Sequence, residues 1–163
     1  MEHLWAPWRN RYVSGAQKTS ANLFWEIGQS TDDAAHLVIA RSKTCYAVLN
    51  RYPYNSGHSL VVPYRVVAGL EELSDGETLD LWSMVRRVTG ALREAYQPNG
   101  FNIGMNLGTA AGAGIPKHLH VHVVPRWEND ANFMTPLAET RIHPNDLETV
   151  HRTLSGLLSG PAA

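Results

Sequence analysis

The sequence has little cysteine, little net charge and no long apolar run, and each shortage excludes a class of protein. Cys45 is the one cysteine among 163 residues, so no intramolecular disulfide can form and a reducing compartment is favoured. The formal net charge of -1 lacks the basic excess of a protein that binds nucleic-acid backbones. No stretch is apolar for long enough to cross a bilayer, and the N-terminus lacks a signal-peptide pattern. We therefore expect a cytoplasmic protein without membrane or nucleic-acid partners.

The length and composition predict one globular domain over residues 1–163. Hydrophobic residues make up 44% of the chain and charged residues 18%, which is typical of a folded protein. Within the domain we expect an N-terminal arm at 1–22, a core with the candidate site residues at 36–126, and a tail with a helix at 127–163. We expect Cys45 to be a small buried strand residue rather than a reactive thiol.

The periodicity of the apolar residues predicts an α+β fold. Short apolar runs predict five strands, at residues 36–40, 46–50, 58–62, 101–107 and 118–124. A capping-box pattern at Ser74 and Glu77 precedes apolar residues at helical spacing, which predicts a long helix that ends before Pro98. A last helix is predicted from about Asn145, with one apolar face made of Leu147, Val150, Leu154 and Leu157. Because the elements do not alternate and the loops are short, we expect a mostly antiparallel sheet.

The last predicted strand carries three histidines in strict alternation, His118, His120 and His122. Side chains alternate across a strand, so the histidines share one face and the residues between them face the core. His118 and His122 would lie roughly 13 Å apart along the strand, so all three can hardly ligate one metal ion. Two other interpretations stay open, namely polar histidines on an exposed face and a nucleophilic site.

Nucleophilic catalysis is the interpretation that uses the neighbouring residues as well. A neutral imidazole attacks phosphorus and also leaves it, so histidine suits a covalent nucleotidyl intermediate. Flanking imidazoles titrate near neutral pH and can donate to phosphate oxygens. Gly108, Gly112 and Gly114 lie just upstream, where a glycine-rich loop can offer backbone N–H groups to an anion.

Residues 118–124 match the pattern His-φ-His-φ-His-φ-φ, in which φ is hydrophobic, and here the sequence resembles the histidine-triad (HIT) superfamily. The segments at 50–63 and 106–120 resemble its nucleoside-binding and phosphate-binding blocks. The segments at 4–9 and 124–134 are similar to the bacterial branch that includes diadenosine tetraphosphate phosphorylases and hydrolases. The resemblance implies an α+β domain built on a five-stranded antiparallel sheet.

The resemblance also implies roles for four histidines. His120 is expected to attack the α-phosphorus and to form a nucleotidyl-histidine. His122 and His58 are expected to orient and polarise the site, and His118 to contact phosphate or the leaving group.

Five further residues are implied to bind the substrate. Asn50 is expected to hold the ribose, and Asn106 with the backbone at Ala113 and Gly114 to hold phosphate oxygens. Trp127 is expected either to line the substrate site or to close the end of the core.

Two departures from the family pattern refine these expectations. Residues 108–117 contain no glutamine, which favours the phosphorylase-like branch over the dinucleoside triphosphate hydrolases. Residues 22–25 lack the Cys-x-x-Cys zinc pair of many bacterial relatives, so no structural metal is expected there.

The implied activity is cleavage of dinucleoside polyphosphates, with diadenosine tetraphosphate as the expected substrate and phosphorolysis slightly favoured over hydrolysis. A nucleoside phosphoramidase, a nucleotide-sugar transferase and a nucleotide-binding module with little turnover remain alternatives. No cofactor is expected to be required, although Mg²⁺ can enter with the polyphosphate because it neutralises charge there. The resemblance also implies a homodimer with joined sheets. Trp82 could serve that contact, although packing of the long helix on the sheet is the default expectation for it.

Overall fold

The computed structural model describes residues 22–128, 130 and 145–159. Residues 1–21 of the predicted N-terminal arm and residues 129, 131–144 and 160–163 of the predicted tail lie outside these ranges. The elements in chain order are α1 (Leu23–Gln29), α2 (Asp33–His36), β1 (Val38–Arg41), β2 (Cys45–Leu49), β3 (Ser59–Pro63), α3 (Asp75–Tyr96), β4 (Gly100–Gly104), β5 (Val121–Arg126) and α4 (Leu147–Leu158). None of the helices described is both long enough and apolar enough to cross a membrane.

The five strands form one sheet in the order β1-β2-β3-β5-β4, and every neighbouring pair is antiparallel. The predicted five-stranded antiparallel α+β fold is therefore confirmed. On one face of the sheet, Val61, Val121 and Val123 share a buried cluster with residues of α3 and α4. On the other face, Leu60 and Val62 pack with residues of α1. The sheet thus separates a main core under the long helix from a smaller core under α1.

The long helix begins and ends where the sequence predicts. The Ser74 hydroxyl accepts from the backbone N–H of Glu77, whose carboxylate accepts from the backbone N–H of Ser74 at 2.9 Å, which completes the capping box. The helix ends as Gln97 adopts a left-handed conformation ahead of Pro98. Its apolar positions are buried against the sheet, as predicted, at Leu81, Met84, Val85, Val88 and Leu92.

The last helix corrects one residue of the predicted apolar face. Asp146 caps the helix by accepting from the backbone N–H of Thr149, and Val150 and Leu154 are buried as expected. Leu157 is 38% exposed, whereas Leu158 is buried. Spacings of four residues from Val150 and Leu154 lead to Leu158, so the apolar stripe continues there.

Three of the five predicted strands begin or end two or more residues away from the prediction. The strand expected at 36–40 begins at Val38, because Asp32 caps a short helical turn that includes His36 and ends at Leu37 in a left-handed conformation. The strand expected at 101–107 ends at Gly104, and Ile103 is 43% exposed because β4 lies at the edge of the sheet. The half-buried pattern predicted for it is therefore wrong.

The last strand begins three residues later than predicted, at Val121 instead of His118. The backbone N–H of Leu119 donates to the carbonyl of Val67 at 2.6 Å instead of joining the ladder. The strand also continues beyond Pro125, since this residue pairs with Phe101 of the edge strand. His118 and His120 consequently lie in the segment that leads into β5.

Arg41 of β1 and Tyr46 of β2 hold α1 against the sheet by hydrogen bonds. The guanidinium of Arg41 donates to the carbonyls of Ile27, Gly28 and Ser30 at the C-terminal end of α1. A cation at this end of a helix compensates its unsatisfied carbonyl groups. The buried hydroxyl of Tyr46 donates to the carbonyl of Phe24 at 2.6 Å. These bonds fix the position of Phe24, which contacts the histidine cluster.

Cys45 is buried in β2, which confirms its predicted place. Burial raises the pKa of its thiol to about 12, so the nucleophilic thiolate is scarce near neutral pH. Cys45 therefore acts as a core residue.

Candidate active site

The structure brings the predicted histidines together on the face of the sheet that α1 covers. The ring centroids of His58 and His122 are 5.2 Å apart, and those of His120 and His122 are 5.0 Å apart. His58 and His118 are 1% exposed and His120 is 7% exposed. Leu119 lies in the main core with the β5 valines, so the predicted division into a histidine face and a core face is confirmed.

A glycine immediately before His58 sets the direction in which this side chain enters the cluster. Gly57 has φ +79, a left-handed conformation that L side chains rarely adopt. A Cβ at this position would stand 2.7 Å from Cδ2 of Leu92 on the long helix. Only glycine fits here, and the loop can therefore press closely against α3.

One hydrogen bond fixes the proton on the ring of His120. Its Nδ1 lies 2.8 Å from the carbonyl oxygen of His118, and a carbonyl can only accept. Nδ1 therefore carries the hydrogen, and Nε2 of the neutral ring keeps its lone pair. Burial lowers the pKa of His120, which keeps the ring neutral near physiological pH. The ring has the electronic state that a nucleophile needs.

His118 has a different environment from the one expected of a phosphate ligand. Its Nε2 donates to the carbonyl of Pro63 at 2.8 Å, and its ring meets Phe24 edge to face at 5.7 Å. Burial lowers the pKa of His118, so the ring is neutral and has only this one N–H. The one N–H of the ring is thus bonded within the protein, and the backbone carbonyl of His118 holds His120. The expected contact of His118 with phosphate or the leaving group stays a prediction.

His58 and His122 form a directly hydrogen-bonded pair. Nε2 of His58 lies 2.9 Å from Nδ1 of His122. Burial, with a further contribution from His120, lowers the pKa of His122 to about 4, so this ring is neutral at pH 7. Its Nε2 is buried and has no hydrogen-bond partner within the part of the chain that the structure describes. A buried polar atom of this kind indicates the place of a ligand.

Two aromatic residues that the sequence analysis missed line the histidine cluster. Phe24 lies 5.0 Å from the ring of His120 and is 5% exposed. Tyr54 stacks on His122 with an interplanar angle of 11° and a centroid distance of 6.1 Å. Nothing in the sequence near Phe24 indicates this contact, because α1 and β5 are nearly one hundred residues apart. The signal for Tyr54 was its place in the loop four residues before His58.

Asn50 lies beside His58, so the structure brings this predicted ribose ligand to the cluster. Its Oδ1 accepts from the backbone N–H of Tyr52 at 2.9 Å, and its Nδ2 lies 3.3 Å from Nδ1 of His58. The role of Asn50 towards a ribose stays a prediction.

The glycine-rich loop uses part of its backbone for its own structure. Gly108 and Gly112 have φ of +78 and +88, and the backbone N–H of Ala113 donates to the carbonyl of Gly108 at 3.3 Å. That bond occupies the Ala113 N–H that was expected to hold phosphate. Gly114 is exposed and Asn106 is half-buried, and their roles in phosphate binding stay predictions.

Trp127 lies at the opposite end of β5 from His122, roughly 16 Å away along the strand. Its indole N–H donates to the carbonyl of Tyr96 at 3.3 Å, and its backbone N–H donates to Asp130. These contacts favour the second of its two expected roles, the closing of the end of the core.

The residues described do not include a group of three or more histidine, cysteine or acidic side chains placed to hold a metal ion. At residues 22–25, where a zinc pair would stand, Phe24 is buried against the imidazoles and no thiol is present. The side chains at this place do not fit zinc, which prefers thiolate and imidazole ligands.

The fold and the site together define an α+β protein in which a triad of histidines directly follows a glycine-rich loop in the chain. The sequence model of the HIT domain family matches residues 31–129. The chain belongs to this family.

Individual relatives agree with this assignment. The chain is 43% identical over 163 residues to the AP-4-A phosphorylase of Mycobacterium tuberculosis, covering 95% of this chain and 83% of that protein. It is 38% identical over 93 residues to the asymmetrical bis(5'-nucleosyl)-tetraphosphatase of Schizosaccharomyces pombe, covering 57% and 50% respectively. A Zn-bound histidine triad family protein from Mycobacterium smegmatis superposes with a TM-score of 0.67 at 29% identity, covering 84% of this chain and 92% of that one.

Proposed function

We propose that this protein cleaves dinucleoside polyphosphates, with diadenosine tetraphosphate as substrate, through a nucleotidyl intermediate on His120. The observation that carries the proposal is the hydrogen bond from Nδ1 of His120 to the carbonyl of His118, which leaves the lone pair of the neutral ring on Nε2. The relatives support the substrate class, because they are named for phosphorolysis or hydrolysis of such compounds.

The first step forms one bond and breaks one bond. Nε2 of His120 attacks the α-phosphorus, a P–N bond forms, and the P–O bond to the bridging oxygen breaks, so that ATP leaves and AMP stays on the ring. The hydrogen stays on Nδ1 and is still donated to the carbonyl of His118, which stabilises the positive charge that the ring gains. The leaving phosphate has a second pKa of about 6, so it departs as an anion and needs no strong acid. Nε2 of His122 is the site atom available to its oxygens.

The second step distinguishes two enzymes. Attack by inorganic phosphate on the nucleotidyl-histidine gives ADP, whereas attack by water gives AMP, and both restore His120. We propose phosphorolysis because residues 108–117 lack the glutamine of many hydrolases and because the M. tuberculosis relative is named a phosphorylase.

Product analysis with and without phosphate tests this proposal. Purified protein is incubated with diadenosine tetraphosphate in phosphate buffer and in phosphate-free buffer, and the nucleotides are resolved. We expect ADP and ATP only when phosphate is present, and no products from a His120→Asn variant. AMP and ATP without phosphate would reassign the protein as a hydrolase, and no turnover in either buffer would refute the substrate.

We further propose that the protein is a homodimer formed through β4 and the adjoining side of α3. The edge strand exposes Ile103, and α3 exposes Leu79 and Trp82 by 71% and 43%, which corrects the expectation that Trp82 packs on the sheet. Arg93 of α3 lies over the ring of Phe101 in β4, so the two elements are neighbours at this edge. An exposed strand edge beside apolar side chains is a typical pairing surface. Light scattering should give twice the 18.1 kDa chain mass, and an Ile103→Lys variant should reduce it.

Two smaller proposals concern cofactor and location. We propose that the protein needs no resident cofactor and that Mg²⁺ enters on the polyphosphate, where it neutralises charge. Chelation should then slow turnover without changing the melting temperature. A cytoplasmic location is supported by the buried free thiol of Cys45.

A further inference from the structure

We propose that Asn50 is a positioning residue that, together with the backbone of Tyr54, fixes where the protons lie on the His58–His122 pair. This inference rests on the proposed function for its catalytic meaning, but the proton positions can be measured independently. It gives Asn50 a role towards the imidazoles in addition to the expected role towards a ribose.

The orientation of the Asn50 amide is set by a group that can only donate. The backbone N–H of Tyr52 points at Oδ1 of Asn50 at 2.9 Å, so the oxygen must lie on that side. The NH₂ group therefore faces Nδ1 of His58, 3.3 Å away. The backbone N–H of Tyr54 reaches the same ring nitrogen at 3.0 Å.

Two N–H donors on one nitrogen require that it carries a lone pair. Nδ1 of His58 is therefore unprotonated, and the hydrogen of the ring lies on Nε2. Nε2 faces Nδ1 of His122 at 2.9 Å, so His58 donates and His122 accepts. The hydrogen of His122 then lies on Nε2, the buried atom that has no partner among the residues described.

The direction of the hydrogen bonds from His58 to His122 decides whether Nε2 of His122 presents a hydrogen or a lone pair to the substrate. An N–H on His122 can donate to a phosphate oxygen, whereas a lone pair at the same place would repel it. In the reversed arrangement, a hydrogen on Nδ1 of His58 would point at the donors from Asn50 and Tyr54. The loop before His58 thus selects the tautomer that favours an anionic ligand.

Two titratable rings contact the pair within the part of the chain that the structure describes. The titratable rings that contact it are His120, against His122, and Tyr54, against both members. Tyr54 and Asn50 belong to the loop between β2 and β3, and His120 immediately precedes β5. Neither ring is a carboxylate, and burial lowers the pKa of His120, so that ring is neutral near pH 7.

The test compares Asn50→Asp with Asn99→Asp. The first variant keeps the oxygen that Tyr52 needs, and an oxygen for a ribose, but replaces the NH₂ donor by a charged acceptor. The second adds the same charge at Asn99, whose Oδ1 accepts from the backbone N–H of Glu128. Thermal unfolding confirms that both variants are folded.

Two readouts are taken from the full chain. In ¹⁵N-histidine-labelled protein at pH 8, long-range ¹H–¹⁵N spectra should show His58 and His122 protonated on Nε2 and His120 protonated on Nδ1. In Asn50→Asp the pH midpoint for protonation of His58 should rise by about one unit or more, as expected of a carboxylate within hydrogen-bonding distance. The midpoint should be unchanged in Asn99→Asp.

Either of two results would overturn the proposal. One is a wild-type His58 that carries its hydrogen on Nδ1. The other is an Asn50→Asp variant whose KM for diadenosine tetraphosphate rises while the His58 midpoint stays in place, which would leave Asn50 as a substrate ligand alone. Absence of turnover in the wild type would refute the proposed function and would leave the spectra interpretable.

Discussion

Replacement of Phe24 by leucine should make the activity sensitive to mild acid. The ring of Phe24 contacts His118 and His120, and burial lowers the pKa of both histidines. A smaller aliphatic side chain would admit water to the nucleophile, and the pKa of His120 would return towards its ordinary value near 6.5. Protonated His120 has no lone pair on Nε2, so the activity should follow its neutral fraction.

The size of the effect follows from the ordinary titration of histidine. With a pKa near 6.5, about one quarter of His120 would be neutral at pH 6, so kcat/KM would be roughly fourfold lower there than at pH 8. In the wild type the pKa of His120 is lowered, so the fall of kcat/KM on the acid side of its pH profile, the acid limb, lies at lower pH. Leucine is chosen because truncation of a buried phenylalanine to alanine typically costs about 3–5 kcal/mol and could unfold the protein.

The assay is kcat/KM for diadenosine tetraphosphate between pH 5 and pH 9, with Phe101→Leu as the matched control. Phe101 also packs against the core, but it lies on the edge strand beside Arg93, away from the imidazoles. We expect the acid limb to move to higher pH in Phe24→Leu and to stay in place in Phe101→Leu. An unchanged acid limb in both variants would refute the reasoning that Phe24 keeps His120 neutral.

Three further predictions concern stability. The pKa of His122 is lowered to about 4 in the folded chain, so its contribution to stability is fully present above the unfolded pKa near 6.5 and is lost as the pH falls towards 4. In urea titrations, protonation of His122 should lower the free energy of unfolding by about 2 kcal/mol between pH 7 and pH 5. If the free energy of unfolding of His122→Gln depended on pH as strongly as that of the wild type, the prediction would be contradicted. Asp80→Ala should lower the free energy of unfolding by about 1–3 kcal/mol, because Oδ2 accepts from the side chains of Ser42 and Thr44 and from the Thr44 backbone; an unchanged denaturation midpoint would show these bonds to be dispensable. Gly57→Ala should lower the melting temperature more than Gly76→Ala, where a Cβ meets nothing within 4 Å.

The regular elements could be predicted because each has a local cause. The capping box at Ser74 and the apolar spacing behind it determine the long helix, and alternation determines which side of the histidine segment faces the core. The contact of Phe24 with His120 could not be predicted, since it depends on how Arg41 ties α1 to the sheet. The exposure of Ile103 depends on the strand order, which local patterns do not contain.

The error in the start of β5 is informative about the site. The alternation of residues 118–124 predicts a regular strand that starts at His118. In such a strand the backbone groups at 118–120 would form hydrogen bonds with the neighbouring strands. Instead Leu119 donates to Val67, and the carbonyl of His118 accepts from the ring of His120. The nucleophile therefore stands where the sheet ends and the backbone is available to side chains. The same holds for His58, which directly precedes β3 and accepts the backbone N–H of Tyr54. Backbone groups thus fix which nitrogen of each ring carries the proton. The three-histidine pattern therefore identifies the chemistry, whereas the geometry comes from the segments at the strand ends.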